Sequence, residues 1–204
     1  MEGAMRVGLW ICTGLISFVN AVFLGVLIYA LPASLSLGRG SRPGIEALTI
    51  EDAALQLRKR GASGFELMEQ ARILVGERMA YSRRNSFDSH RNAFKRGYGY
   101  CQQEAFALAR LLEMLGFNAW PVHCEHCDFI LMKNTGHAWV QVLYGGEIVD
   151  IDPRYMSEVG EPLLFDTRSA VRRYNTLFRL FAGWGSTAVN AYRYYKTGSD
   201  TDPW

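Results

Sequence analysis

Gly97 to Cys124 reads GYGYCQQEAFALARLLEMLGFNAWPVHC, and Gly136 to Tyr155 reads GHAWVQVLYGGEIVDIDPRY. These two pieces of one stretch, Tyr98 to Tyr155, decide the fold. A cysteine opens an apolar helix, a histidine opens a strand, and an aspartate closes the next strand. From Cys101 to Leu115 there is no Gly or Pro, and good helix formers dominate. Cys101, Ala105, Leu108, Leu112 and Leu115 recur at helical spacing and lay one apolar stripe along one face. Gly116 follows as the left-handed cap. Cys101 is thereby placed on the buried edge of the helix, at its N-terminal end. Unpaired backbone N–H groups and the positive end of the macrodipole there favour thiolate over thiol. Alone, such a residue is equally a small buried hydrophobe.

The hairpin adds weight to the chemical reading. His137 to Tyr144 and Glu147 to Asp152 alternate in strand fashion around Gly145-Gly146, the composition of a two-residue turn. That turn pairs Tyr144 with Glu147. Ala138, Val140, Val142, Val149 and Ile151 then share a core face, while His137, Trp139, Gln141, Asp150, Asp152 and Arg154 share the other. Asp152 falls opposite Trp139 and is the diagonal neighbour of His137, at about 7–8 Å between backbones. Asp150 lies two residues further along, out of reach of His137. Cys, His, Asp is the set a thiol nucleophile, its base and the base's orienter require.

Taken together, GYGYCQQEAFALARLLEMLGFNAWPV, GHAW and IDPRY resemble the core of the transglutaminase-like superfamily, relatives of papain-type cysteine peptidases, over roughly Glu66 to Tyr155. With the N-terminal segment described below, the resemblance is to membrane-anchored members of bacterial type. It implies an α+β fold with the nucleophile helix packed on an antiparallel sheet. It also implies Cys101 as nucleophile, His137 as base, Asp152 as orienter, and no cofactor. The implied activity is thiol-mediated acyl transfer on peptide or protein amides, with hydrolysis favoured over cross-linking because water is the default acceptor. The Cys101 N–H supplies half of an oxyanion hole. Gln102 and Tyr98 are candidates for the second donor, and Trp139 for substrate contact. Two features depart from the family pattern. Arg154 stands where Thr often follows Asp-Pro, and His123 to Asn134 has no counterpart.

Within that second segment, His123, Cys124, His126 and Cys127 crowd into five positions. Zinc takes four such ligands, yet one CxxC without a second pair is half a site, and adjacent strand residues face opposite ways. Reduced thiols, a Cys124–Cys127 disulfide and a metal all remain open; no structural metal is the expectation.

The 204 residues, 49% hydrophobic and 21% charged, suit one modest domain plus extras. A net charge of +2 gives no reason to expect nucleic acid as a partner. Val7 to Leu31 is 25 residues without a charge, about 37 Å as helix and long enough to span a bilayer. It exceeds a signal-peptide core. The expected organisation is therefore a single-pass anchor over 1–31, a tether over 32–48, a catalytic-type domain over 49–160 and an amphipathic, aromatic-rich extension over 161–204. Flanking arginines do not assign the soluble domain to the extracytoplasmic or the cytoplasmic side.

Helices are expected from Thr49 to Arg60 and from Ser63 to about Tyr81, the latter opened by a Ser63/Glu66 capping box. A polar loop containing His90 is expected from Arg83 to Gly99. Thr167 to Ala182 places Val171, Tyr174, Phe178 and Phe181 on one helical stripe beside several arginines, a face suited to self-packing or to anionic lipid. The partners implied are a peptide or protein substrate near the membrane and the lipid bilayer itself. The alternative is a non-catalytic accessory or binding subunit of a membrane-protein complex.

Overall fold

The computed structural model describes residues 14–22, 24–25, 28, 41–82, 85, 88–174, 185, 189–190 and 192–199. Most of the expected anchor lies outside them; residues 14–22, 24–25 and 28 are helical and exposed. No helix among the described residues is long and apolar enough to cross a membrane.

The domain starts with α1 (Ile50–Lys59). Thr49 Oγ1 accepts the Asp52 N–H at 3.0 Å and Asp52 Oδ2 accepts the Thr49 N–H at 3.3 Å, a reciprocal cap. Helix α2 (Gly64–Arg78) lacks the cap expected at Ser63. Gly64 enters at φ 56°, outside the right-handed range, and Glu66 instead accepts from Gln70 Nε2 at 3.3 Å. The helix also stops short of Tyr81, because β1 (Ala80–Tyr81) pairs in parallel with β2 (Tyr98–Gly99).

Between those strands, the stretch expected to be a loop contains α3 (His90–Arg96). Ser89 caps it by accepting the Asn92 N–H at 3.2 Å. Gly97 ends it at φ 77°, and Ala93 and Phe94 drive it inward as fully buried side chains. The polar flanks masked this two-residue apolar patch.

Helix α4 (Cys101–Met114) is the central element, packed on α1, α2, α3 and the sheet. Ala105, Leu108 and Leu112 of its stripe are completely buried. The sheet contains β3 (Asn118–Asp128), β4 (Thr135–Tyr144), β5 (Glu147–Ile151), β6 (Asp166–Thr167) and β7 (Arg172–Arg173). Its order is β5-β4-β3-β6, with β7 also on β3, and every pair is antiparallel. Tyr144 faces Glu147 and Val140 faces Ile151, the register a two-residue turn imposes. Gly145 and Gly146 occupy it at φ 62° and 89°, which only the primed turn requires. The architecture is α+β.

Both sheet faces are covered. Ala138, Val140, Val142 and Ile151 join the helices in the main core. On the opposite side Val122, Cys124, Cys127, Phe129, Trp139 and Phe165 form a second buried cluster.

The C-terminal reading requires correction. Residues expected to begin a helix at Thr167 instead extend along β3: Cys127 pairs with Thr167 and His123 with Arg172. Without β6 and β7, β3 would be an edge with unpaired backbone groups, and satisfying them outweighs a helical stripe. The sheet therefore continues past residue 160 into the segment read as a separate extension, and the proposed lipid-facing helix does not begin there. Phe178 and Phe181 lie outside the described residues.

Candidate active site

Cys101 is the first residue of α4 and is half-buried. Its helix start is held by Gln103, whose Oε1 accepts the Tyr100 N–H at 3.0 Å while Nε2 donates to the Asn85 and Asp88 carbonyls at 2.5 and 2.8 Å. Those bonds tie the start of α4 to the segment before α3.

His137 stands near the start of β4, opposite Cys124. Its Nε2 lies 2.6 Å from Asp152 Oδ2, and both side chains are buried. The other carboxylate oxygen accepts the N–H groups of Arg154 and Tyr155 at 2.8 and 2.7 Å. With Nε2 so engaged, Nδ1 is the ring nitrogen left for Cys101, and the two side chains share one cavity wall. The imidazole is enclosed by Phe129, Tyr155 and Phe165 at 5.1, 5.3 and 4.9 Å edge-on, and by Trp139 stacked at 6.1 Å. Rotation of the ring would have to break this cage.

Burial by itself would push the imidazolium down. The Asp152 charge and hydrogen bond, with Cys101 behind them, outweigh burial and hold His137 up at about 10. Reciprocally, burial would raise Asp152, but His137 and the two backbone donors hold it below the usual carboxylate range. Both shifts run against burial and favour imidazolium facing carboxylate.

Asp150 points elsewhere: Oδ1 accepts from Trp139 Nε1 at 2.7 Å and from Gln141 Nε2 at 3.1 Å. Trp139 is thus 1% exposed with its indole N–H engaged, and supports His137 instead of contacting a substrate as expected. Tyr98 sits in β2 and is absent from the cavity wall, where Tyr100 appears. Gln102 does line the cavity. The Tyr100 hydroxyl donates to Gln102 Oε1 at 2.5 Å, so the Gln102 amide N–H2 is its free donor side.

The cavity has a volume of about 340 Å³ and contains Cys101 and His137 in its wall. Phe129 and Met132 border it from the β3–β4 loop, whose tip exposes Ile130 and Leu131 at 88% and 71%. That loop is pinned: the Phe129 N–H donates to the Met132 carbonyl at 2.7 Å and the Asn134 N–H to Asp128 Oδ1 at 2.9 Å.

Cys124 and Cys127 are free, buried thiols on either side of a bulge in β3, and the Cys124 thiol donates to the His126 carbonyl at 3.1 Å. Burial pushes the Cys127 thiol far up. His123 lines the cavity and packs on Tyr174 at 4.7 Å. Among the described residues no group of three or more His, Cys, Asp or Glu could hold a metal ion; His123, Cys124, His126 and Cys127 do not converge.

Several wall residues were missed in the sequence. Glu104, one helical turn from Cys101, is 2% exposed and takes Arg154 Nε at 2.8 Å and Nη2 at 2.6 Å. Burial pushes its carboxyl up against the pull of Arg154. Arg154 also donates to the Met79 carbonyl, so it ties α4, the C-terminal end of α2 and the Asp152 turn together. A charged residue in the first turn of a buried helix was the available signal. Tyr174, assigned to a helical stripe, forms part of the wall; burial, then the nearby Cys101, push its phenol well up.

No protein-family model matches the chain, and no curated protein matches it. A crystal structure of a TGase (transglutaminase) superposes with a TM-score of 0.43 at 18% identity. The match covers 59% of this chain and 33% of that one, so this chain spans about a third of its length.

Proposed function

We propose that this chain is a transglutaminase-like, cysteine-dependent acyl transferase acting on peptide or protein amides, with Cys101 as nucleophile, His137 as acid–base and Asp152 as orienter. One observation carries it: Asp152 is hydrogen-bonded to His137 at 2.6 Å, and His137 and Cys101 stand together in the wall of one cavity. Cys101 sulfur adds to the amide carbonyl, and the oxyanion is met by the Cys101 N–H and the Gln102 amide. His137 hands its proton to the departing amine, leaving a thioester. Water then attacks, His137 takes its proton, and the acid departs as the thiolate returns. An amine in place of water would give transfer; hydrolysis is the default because water is always present.

The site is further proposed to work beside a membrane. The uncharged run from Val7 to Leu31 supports an anchor, and a tether of about 17 residues reaches only roughly 20–25 Å. The exposed Ile130–Leu131 tip next to the cavity suits an apolar surface. A membrane-associated protein substrate follows from that confinement.

The test is alkylation of the detergent-purified chain by iodoacetamide at neutral pH, read by peptide mass spectrometry. Cys101 is expected to react much faster than Cys124 or Cys127, which are 1% and 0% exposed, and to slow sharply in His137→Ala. Equal labelling of the three, or no change in His137→Ala, would overturn the enzyme reading and favour a non-catalytic subunit.

A further inference from the structure

The cavity wall includes residues far from the nucleophile in sequence: Val189, Asn190 and Arg193. Positions 189–190 and 192–197 are helical, and residues three apart on a helix lie on one face. Asn190 and Arg193 therefore present an amide and a guanidinium side by side.

Asn190 is 6% exposed, and its side chain has no hydrogen-bond partner among the described residues. Asn190 stands in the cavity wall, where its amide is open to whatever enters the cavity. Arg193 is half-buried and has no ion-pair partner among the described residues.

The remaining charges of the wall are matched. Arg154 is paired with Glu104 at 2.6 Å, and Glu125 faces Arg172 at 3.9 Å. Beside the wall, Asp152 is bonded to His137 at 2.6 Å. Arg193 is left as the unbalanced cation of the cavity. A guanidinium next to an amide N–H2 is a donor set for a carboxylate.

We propose that Asn190 and Arg193 form an anion subsite in the cavity, so that the acyl donor carries a carboxylate close to the amide that Cys101 attacks. This rests on the acyl-transfer reading and narrows it to a substrate class: an amide flanked either by an acidic side chain or by a chain-terminal carboxylate.

The experiment compares iodoacetate with iodoacetamide on the full-length chain, reading Cys101 alone by peptide mass spectrometry. Two probes of nearly equal size differ by the carboxylate. The ratio of their rates, relative to the same ratio for a free thiol, is expected to favour iodoacetate. Arg193→Gln should lower that ratio roughly tenfold, the order of one charge-assisted hydrogen bond, and Arg193→Lys should restore part of it. Asn190→Ala should lower it less. A ratio equal to that of free thiol, or one unchanged in Arg193→Gln, overturns the subsite while leaving the nucleophile assignment intact. Failure of both probes to label Cys101 overturns the acyl-transfer reading and the subsite together. Protection of Cys101 by short peptides then identifies the source. Protection only by a free C-terminal carboxylate indicates chain-end recognition, and protection by an amidated peptide with Glu beside Gln indicates an acidic side chain. Protection by neither overturns the proposal.

Discussion

Asp152→Asn tests the site at its most informative atom. Oδ1 of Asp152 is pinned by two backbone N–H groups, from Arg154 at 2.8 Å and Tyr155 at 2.7 Å, while Oδ2 meets His137 Nε2 at 2.6 Å. An asparagine there must choose an orientation. Keeping its oxygen on the two backbone donors aims its N–H2 at His137, which forces Nε2 to accept and puts the ring proton on Nδ1. That nitrogen faces Cys101 and could no longer receive the thiol proton. Flipping the amide would restore the tautomer but leave two buried N–H groups against an N–H2. At about 1–3 kcal/mol for each lost bond, the unproductive orientation wins by about 2 kcal/mol or more. Loss of the carboxylate also removes the charge that sustains imidazolium. A wrong tautomer in a comparable hydrolytic triad costs about 10⁴ in turnover, and a loss of roughly 10²–10⁴ is expected here. Asp150→Asn should stay within a fewfold, since an amide oxygen still accepts from Trp139 and Gln141. The assay is the rate constant for Cys101 alkylation by iodoacetamide between pH 5 and 9, with near-UV circular dichroism confirming the fold. If Asp150→Asn is the more damaging, or Asp152→Asn leaves the profile unchanged, the assigned roles are wrong.

The His137–Asp152 pair ties stability to pH. His137 is raised from 6.5 to about 10, so its contribution is complete below about pH 6.5 and is lost as pH climbs toward 10. Asp152 is lowered from 3.8, so its contribution holds above that value and fades in stronger acid. Denaturant unfolding should therefore show the difference between wild type and Asp152→Asn greatest near pH 4–6.5 and shrinking above it, by on the order of 1 kcal/mol per pH unit; a constant difference would refute the linkage. Arg154→Met should destabilise by about 3–5 kcal/mol by leaving a buried carboxylate unpaired, and adding Glu104→Gln should recover much of that, as read by thermal unfolding. In Gly76→Ala the new Cβ would stand 2.5 Å from the Pro153 carbonyl oxygen. A cost of about 1–3 kcal/mol is expected, with slower Cys101 alkylation because Pro153 follows Asp152; an unaffected alkylation rate would show the turn to be insulated from α2.

The parts of the fold legible in the sequence are those in which one local rule acted without competition. The stripe from Cys101 to Leu115 is long and free of breakers, and its middle residues Ala105, Leu108 and Leu112 are buried as expected. The Gly145-Gly146 turn admits one register, and that register alone puts Asp152 rather than Asp150 next to His137. Side-chain reach did the rest. What the period-two pattern could not reveal was the second covering of the sheet. His137, Trp139 and Asp152 read as a polar face, yet Phe129, Tyr155 and Phe165 close over them. Those aromatics come from loops and a short bridge region, where no periodicity marks them.

The segment after Phe165 went wrong for a different reason. Val171, Tyr174, Phe178 and Phe181 do recur at helical spacing, but the spacing says nothing of what else the backbone can pair with. β3 offered that alternative, with open N–H and C=O groups along Val122 to Asp128. Once β7 docks there, the arginines that looked like a lipid-facing row acquire local tasks. Arg173 lies over the Trp120 ring at 3.5 Å, a cation–π contact, and Arg172 approaches Glu125 at 3.9 Å. Tyr174 is carried over His123 and into the cavity wall. The same residues that suggested a membrane surface thus cap the sheet and shape the space beside Cys101. The exposed Ile130–Leu131 tip stands at the rim of the same cavity, among the apolar side chains that the described residues leave open to solvent.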